Sequence, residues 1–299
     1  MIPKNILITG GNGQLGHSLN IFFESKNYNI DDLSFNVFFT SLNNLSYPLN
    51  LTSLDNVSKL INDIDPDYII NCAALTNVDF CEENRQESYE VNVRIVKNII
   101  SSMPIKSKLI HISTDYIFDG EKAPYREEDI PNPINYYGKT KLEAENIIRS
   151  SQKKYIIIRT GSLFSEFTSI HSNKLCWLLN KFKNEQKIFS ATDMISTATS
   201  TGSLAHIIFK TISSIPFNEN FIINYSGQDS MSVYDFSLLV AKTFNFNKNL
   251  IEPILMKDLA FKAKRPKDTS LNTDFINNLL DCNIYETEYS LNIIKDMVN

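Results

Sequence analysis

Between residues 4 and 160, short β-branched and aliphatic runs alternate with amphipathic stretches, and this rhythm constrains the fold most. Residues 5–9, 36–40, 67–71, 108–113 and 154–159 read as buried strands. Residues 14–26, 54–64, 87–103 and 137–150 read as helices; in the first, Leu15, Leu19 and Phe22/Phe23 fall on one stripe. Strand, helix and strand in repetition predict βαβ units, so the expectation is a doubly wound α/β fold: a parallel sheet with helices on both faces. After residue 160 the rhythm loosens. Helices are expected at 175–184, 202–212, 233–244 and 289–297, with a short strand at 221–224 between them. This half reads as a smaller C-terminal α/β lobe for substrate. The expected division is 1–165 and 166–299, with segments free to interleave.

The first strand runs directly into Gly10-Gly-Asn-Gly13-Gln14-Leu15-Gly16, which opens the first helix. In such a strand–turn–helix setting Gly10 permits the tight turn, Gly13 admits a pyrophosphate to the backbone, and Gly16 lets helix and strand pack closely. The free N–H groups at the helix start favour the diphosphate. The loop therefore predicts a dinucleotide cofactor and makes the fold Rossmann-type. The 2′ position of the ribose stays open between NADH and NADPH. The rule asks for an acid or an arginine about 20 residues on; the second strand ends instead in Thr40-Ser41, with Asp31 and Asp32 ahead of it.

Composition excludes several classes. With 42% hydrophobic residues the chain can bury a full core, and a net charge of −5 without a basic run gives no attraction for nucleic acid. Cys72, Cys81, Cys176 and Cys282 are scattered, as are the four histidines, so the reading is reduced thiols and no metal site. No apolar run approaches the ~18 residues needed to span a bilayer, and no secretion signal is evident. The expectation is a soluble cytoplasmic protein.

Ligands on a doubly wound sheet gather beyond the C-terminal strand ends. Asn71-Cys-Ala-Ala74 ends one strand with small residues, and Ser113-Thr114-Asp115 ends the next. Tyr137 and Lys141 open the following helix four residues apart, on one face. The implied chemistry is hydride transfer between a nicotinamide and a carbonyl carbon. Tyr137 would give a proton to the forming alkoxide and Thr114 would hydrogen-bond the same oxygen. Lys141 would hold the ribose and lower the phenol's pKa. Tyr136, a rival phenol, lacks the four-residue offset and is expected to pack or line the pocket.

With these segments in view the chain resembles the extended short-chain dehydrogenase/reductase family, and within it the dTDP-4-dehydrorhamnose reductases. The marks are the glycine loop, Asn71-Cys-Ala-Ala-Leu-Thr-Asn-Val-Asp79, Ser113-Thr-Asp-Tyr-Ile-Phe-Asp-Gly120, Tyr137-Gly-Lys-Thr-Lys-Leu-Glu143 and Arg265-Pro-Lys-Asp-Thr-Ser-Leu-Asn-Thr273. The resemblance implies NAD(P)H-dependent reduction of a nucleotide-activated 4-keto-6-deoxy sugar for surface polysaccharide, with Thr114, Tyr137 and Lys141 catalytic. It implies that Gly10, Gly13, Gln14, Leu15, Gly16, Asn50, Leu51, Ala73, Ala74 and Leu75 hold the cofactor with Tyr137 and Lys141. Asp115 and Thr114 would touch the sugar, and Arg265 would pair with the substrate diphosphate. Some relatives form magnesium-linked homodimers, whose ligands have no counterparts placed here.

Departures fall on the substrate side. Gly161-Ser162 stands where the subgroup has Ser-Trp against the sugar, which makes Ser162 a candidate substrate residue. Asp193-Met-Ile-Ser-Thr-Ala-Thr199 has lost a Gln, a Gly and a Pro, and Asn50 replaces an acid. The alternatives are a related epimerase or dehydratase, and a catalytically silent nucleotide-binding regulatory module. Asp115 is followed by Tyr116 rather than Glu, which favours reduction over dehydration.

Overall fold

Seven parallel strands form the central sheet of the computed structural model, which describes residues 3–25, 34–42, 47–165, 173–282 and 284–298. Six come from the first half: β1 (Lys4–Thr9), β2 (Phe35–Ser41), β3 (Tyr47–Pro48), β4 (Tyr68–Asn71), β5 (Lys108–Thr114) and β6 (Lys154–Thr160). Their order is β6-β5-β4-β1-β2-β3, with Phe221–Asn224 added beside β6. Chain direction through the sheet reverses at β1, which lies between β2 and β4. The crevice beyond that point is where such sheets bind ligands.

Strand side chains alternate between two cores. Ile6, Ile8, Ile70, Ile110, Ile156 and Ile158 face Leu15 and Leu19 of the Gln14–Glu24 helix and Leu204 and Ile208 of the Thr201–Ser214 helix. Leu7, Ile69, Leu109 and Ile157 face Leu60 and Ile61 of Leu54–Ile64, Ile99 of Ile95–Ser102, and Ala144 and Ile148 of Tyr136–Ser150. Each of these leucines and isoleucines, buried, stabilises by ~1.5–3 kcal/mol. A third core joins Lys174–Lys183, Val233–Thr243 and Thr287–Val298 through Leu178, Phe236 and Leu291. It forms the smaller lobe, which also holds a parallel pair, Ile188–Ala191 with Ile251–Ile254.

Two expectations change. Phe221–Asn224 belongs to the main sheet, because Ile223 continues one core and Ile222 the other while the strand pairs with β6. The Thr201–Ser214 helix also packs on the sheet. The helix expected at 87–103 is interrupted: Arg85–Tyr89 and Ile95–Ser102 flank a π-helical turn, Glu90–Arg94. Such turns mark functional positions. Residue 26, and Asp31 and Asp32 before β2, lie outside the described residues.

Candidate active site

The glycine loop is shaped by contacts that exclude side chains. Gly10 has φ +70°, and a Cβ there would lie 2.7 Å from the Ala73 nitrogen and the Cys72 carbonyl carbon. A Cβ on Gly16 would lie 2.4 Å from the Gly10 oxygen. Gly13 differs: its φ is −79° and its nearest hindrance is 3.3 Å away. A Cβ there would be tight against the Gly10 oxygen without the clash found at Gly10 and Gly16, and it would also meet whatever enters the cavity that Gly13 lines. The N-cap, Gly13, has no side chain to cap the helix that follows, and Gln14, Leu15 and Gly16 of its first turn line the same cavity. An uncapped first turn behind a bare backbone suits a diphosphate.

That cavity, of about 400 Å³, collects three strand ends and a helix start. Cys72 and Ala74 enter it after β4, Thr114 and Asp115 after β5, and Thr160, Gly161 and Ser162 after β6. Tyr137 and Lys141 enter from the Tyr136–Ser150 helix, capped by Asn135, whose Oδ1 accepts from Gly138 N at 2.9 Å. Gly138 is required where it stands, because a Cβ would lie 2.1 Å from the Tyr116 carbonyl oxygen. We predict that Gly138→Ala displaces Tyr137 and lowers turnover about ten- to a hundredfold. An unchanged single-turnover rate would refute that packing argument.

The phenol of Tyr137 is buried and lies edge-on to Tyr116, ring centroids 6.0 Å apart. Burial raises its pKa, a hydrogen bond with Thr114 pulls it back, and the Asp115 charge raises it again. The expected lowering of the phenol by Lys141 is therefore corrected. Lys141 Nζ is engaged elsewhere, donating to Ile112 O at 2.7 Å beside His111 Nε2 at 3.4 Å. Burial brings the Lys141 ammonium down to about 8, with Glu145 opposing. His111 is held well below its ordinary value, first by burial and then by Lys141. Its other ring nitrogen lies 3.0 Å from Asn71 Nδ2, and Asn71 Oδ1 accepts from Thr9 Oγ1 at 2.6 Å. A buried polar row thus ties the glycine-loop strand to Lys141.

Asp115 lines the cavity too. Burial raises its carboxyl to about 6, while hydrogen bonds from Thr269 and Thr114 oppose the rise. Thr269 Oγ1 donates to Asp115 Oδ2 at 2.5 Å and Thr114 Oγ1 to Oδ1 at 3.0 Å. A Cβ on Gly161 would lie 2.3 Å from that carboxylate, so the departure at 161 makes room for Asp115. Ser162 takes the left-handed conformation, φ +48°, and lines the cavity. Met194, Ile195 and Ser196 form the facing wall, and Ile195 pairs through its backbone with Lys267 and Thr269 of the Arg-Pro segment.

Other expected residues stand apart from the cavity lining. Ala73 packs against the second core, and Leu75 is held by Asn92, whose Oδ1 accepts from Leu75 N at 2.8 Å. Leu51 is a core residue, and Asn50 Oδ1 accepts from Thr52 N and Oγ1. An amide oxygen there makes the turn bonds a carboxylate would make. Tyr136 lies under the Arg85 guanidinium, 5.1 Å from its ring centroid. Arg265 pairs with Asp79 at 3.0 Å, donates to Ala263 O and covers Phe261.

Two residues were missed. Asn92, in the π-helical turn, donates to Leu75 O and Thr140 Oγ1 and so clamps the β4 loop to the Tyr137 helix. Lys174 lines the cavity from the smaller lobe. Neither carries a motif; a buried Asn inside a helical run was the only signal for the first.

The family model for the RmlD substrate binding domain matches residues 4–298. The chain belongs to this family. It is 32% identical over 278 residues to a dTDP-4-dehydrorhamnose reductase from Aggregatibacter actinomycetemcomitans, covering 89% of this chain and 90% of the relative. It is 29% identical over 288 residues to methionine adenosyltransferase 2 subunit beta from Bos taurus, covering 92% and 82%. Its structure matches that of dTDP-4-dehydrorhamnose reductase from Bacillus anthracis in complex with NADP, with a TM-score of 0.88, 25% identity and 99% and 100% coverage. As an RmlD-type chain it is a Rossmann-fold oxidoreductase of the extended short-chain class. Among the described residues no cluster of His, Cys, Asp and Glu could hold a metal ion, and no helix is long and apolar enough to cross a membrane.

Proposed function

We propose that the chain reduces a nucleotide-activated 4-keto-6-deoxy sugar with NADPH or NADH, in the supply of deoxysugars for polysaccharide. The observation that carries this reading is the meeting of Thr114, Tyr137 and Lys141 in one cavity with the uncapped helix start at Gln14. A bound nicotinamide supplies the hydride. Tyr137 keeps its proton at neutral pH because burial raises the phenol. It gives that proton to the carbonyl oxygen as negative charge develops there. Thr114, whose one hydroxyl proton goes to Asp115 Oδ1 in the structure, turns it to the same oxygen when substrate binds. Lys141 adds a positive charge in a water-poor site below its pKa of about 8. Asp115, Ser162 and Met194–Ser196 face the sugar, and the departures from the reductase pattern at Ser162, Met194 and Ser196 bear on which sugar is taken. Four free thiols suit a reducing, cytoplasmic setting.

A second reading is a subunit that binds nucleotide and serves another enzyme, favoured by the likeness to a methionine adenosyltransferase subunit beta. Retention of Thr114, Tyr137 and Lys141 in one cavity argues for catalysis. The deciding measurement is oxidation of NADPH and NADH with dTDP-4-dehydrorhamnose and with UDP- and GDP-linked 4-keto sugars. Turnover with at least one is expected. Tight cofactor binding with no turnover on any of them would overturn the reductase reading and leave the subunit.

A further inference from the structure

We infer that Lys174, rather than Arg265, holds the diphosphate of the sugar nucleotide. The inference rests on the reductase reading and names the group that anchors its substrate. Among the described residues two cations line the cavity, Lys141 and Lys174. Lys141 is already engaged by the Ile112 carbonyl. Arg265, the residue the Arg-Pro motif suggests, is neutralised by Asp79 at 3.0 Å, and only 8% of its side chain is exposed. Lys174 has no carboxylate within ion-pair reach among the described residues; its Nζ lies over the ring of Phe236, 4.6 Å from the centroid.

Its position suits a substrate rather than a cofactor anion. Lys174 opens the Lys174–Lys183 helix in the smaller lobe, and Phe236 belongs to Val233–Thr243, whose first residue also lines the cavity. The N-cap Asn173 accepts from Leu175 N and Cys176 N, so this helix start offers its side-chain ammonium, not a bare row of N–H groups. Partial withdrawal from water pulls that ammonium down to about 8, and among the described residues nothing acidic opposes the shift. A cation kept from water without a partner is costly, and an anionic ligand removes that cost. Ser162, the candidate for reading the sugar, lines the same cavity, and the cofactor diphosphate is assigned a seat of its own at Gly13 and Gln14.

The test compares wild type, Lys174→Met and Lys174→Arg by calorimetric titration with dTDP, thymidine and NADPH. Methionine keeps an unbranched stem over Phe236 without the charge. We expect dTDP affinity to fall about ten- to a hundredfold in Lys174→Met, as for loss of a charged hydrogen bond. Thymidine and NADPH should bind as in wild type, and Lys174→Arg should restore most of the dTDP affinity. Equal dTDP affinity in wild type and Lys174→Met overturns the inference. So does a loss shared equally by thymidine, which marks a collapsed cleft, or a loss confined to NADPH, which assigns Lys174 to the cofactor. A wild-type protein that binds none of dTDP, UDP and GDP overturns the functional reading itself.

Discussion

Tyr137→Phe should lower turnover by about 10²–10⁴-fold, the range of a positioned proton donor, while cofactor affinity stays near wild type. The substitution removes one oxygen and leaves the ring, which still lies edge-on to Tyr116. Thr114 keeps its bonds to Asp115 and to Tyr116 N, so the strand end holds its shape. The pH profile separates the phenol from its neighbour. The Lys141 pKa lies near 8, below the ordinary lysine value, so the ammonium is charged at lower pH and its charge is lost as pH rises through about 8. The phenol is raised and stays protonated throughout that window. A fall of kcat/KM on the basic side near pH 8 is therefore expected from Lys141, and it should persist in the residual activity of Tyr137→Phe. Turnover of the variant within a few-fold of wild type would remove Tyr137 from the mechanism. Loss of the basic limb in the variant would instead assign that titration to the phenol.

What sequence could disclose follows from how local each cause is. Ile6, Ile70 and Ile158 read as buried strand residues because the strands carry their apolar character within a few positions. Gly10 and Gly16 follow from backbone crowding inside one strand–turn–helix unit. Thr114, Tyr137 and Lys141 converge because parallel strands end on one side of a sheet. The rest depends on distant partners. Phe221–Asn224 looks like any short strand until β6 offers it an edge. Arg265 resembles a phosphate ligand until Asp79, 186 positions away in the chain, meets it (265 − 79). The direction of the Tyr137 shift depends on burial, which opposes what helical spacing to a lysine suggests. Asn92 acts through a π-helical turn that no apolar period announces.

Glu145→Ala is expected to lower stability by about 3–5 kcal/mol, because it leaves Arg159 charged and unpaired in the interior. The side chains of Glu145 and Arg159 are 0% and 1% exposed, joined at 3.2 Å through Nε and at 2.9 Å through Nη2. Among the described residues Arg159 would retain Glu127 O at 3.0 Å, the face of Phe118 and the more distant charge of the Glu127 carboxylate. Chemical denaturation with cofactor absent measures the loss, and a change below about 1 kcal/mol would show that the guanidinium finds other partners. The double variant Glu145→Leu/Arg159→Met separates stability from positioning. Replacing both charges with apolar groups should recover most of the stability, since two desolvated ions attract little more than they lose to burial. Turnover should not recover with it. Glu145 Oε1 also accepts from Ser113 Oγ at 2.5 Å, and Ser113 adjoins Thr114 while Glu145 lies one helical turn beyond Lys141. The carboxylate therefore fixes the helix of Tyr137 and Lys141 against the strand end that carries Thr114. A double variant that regained both stability and turnover would reduce the pair to packing.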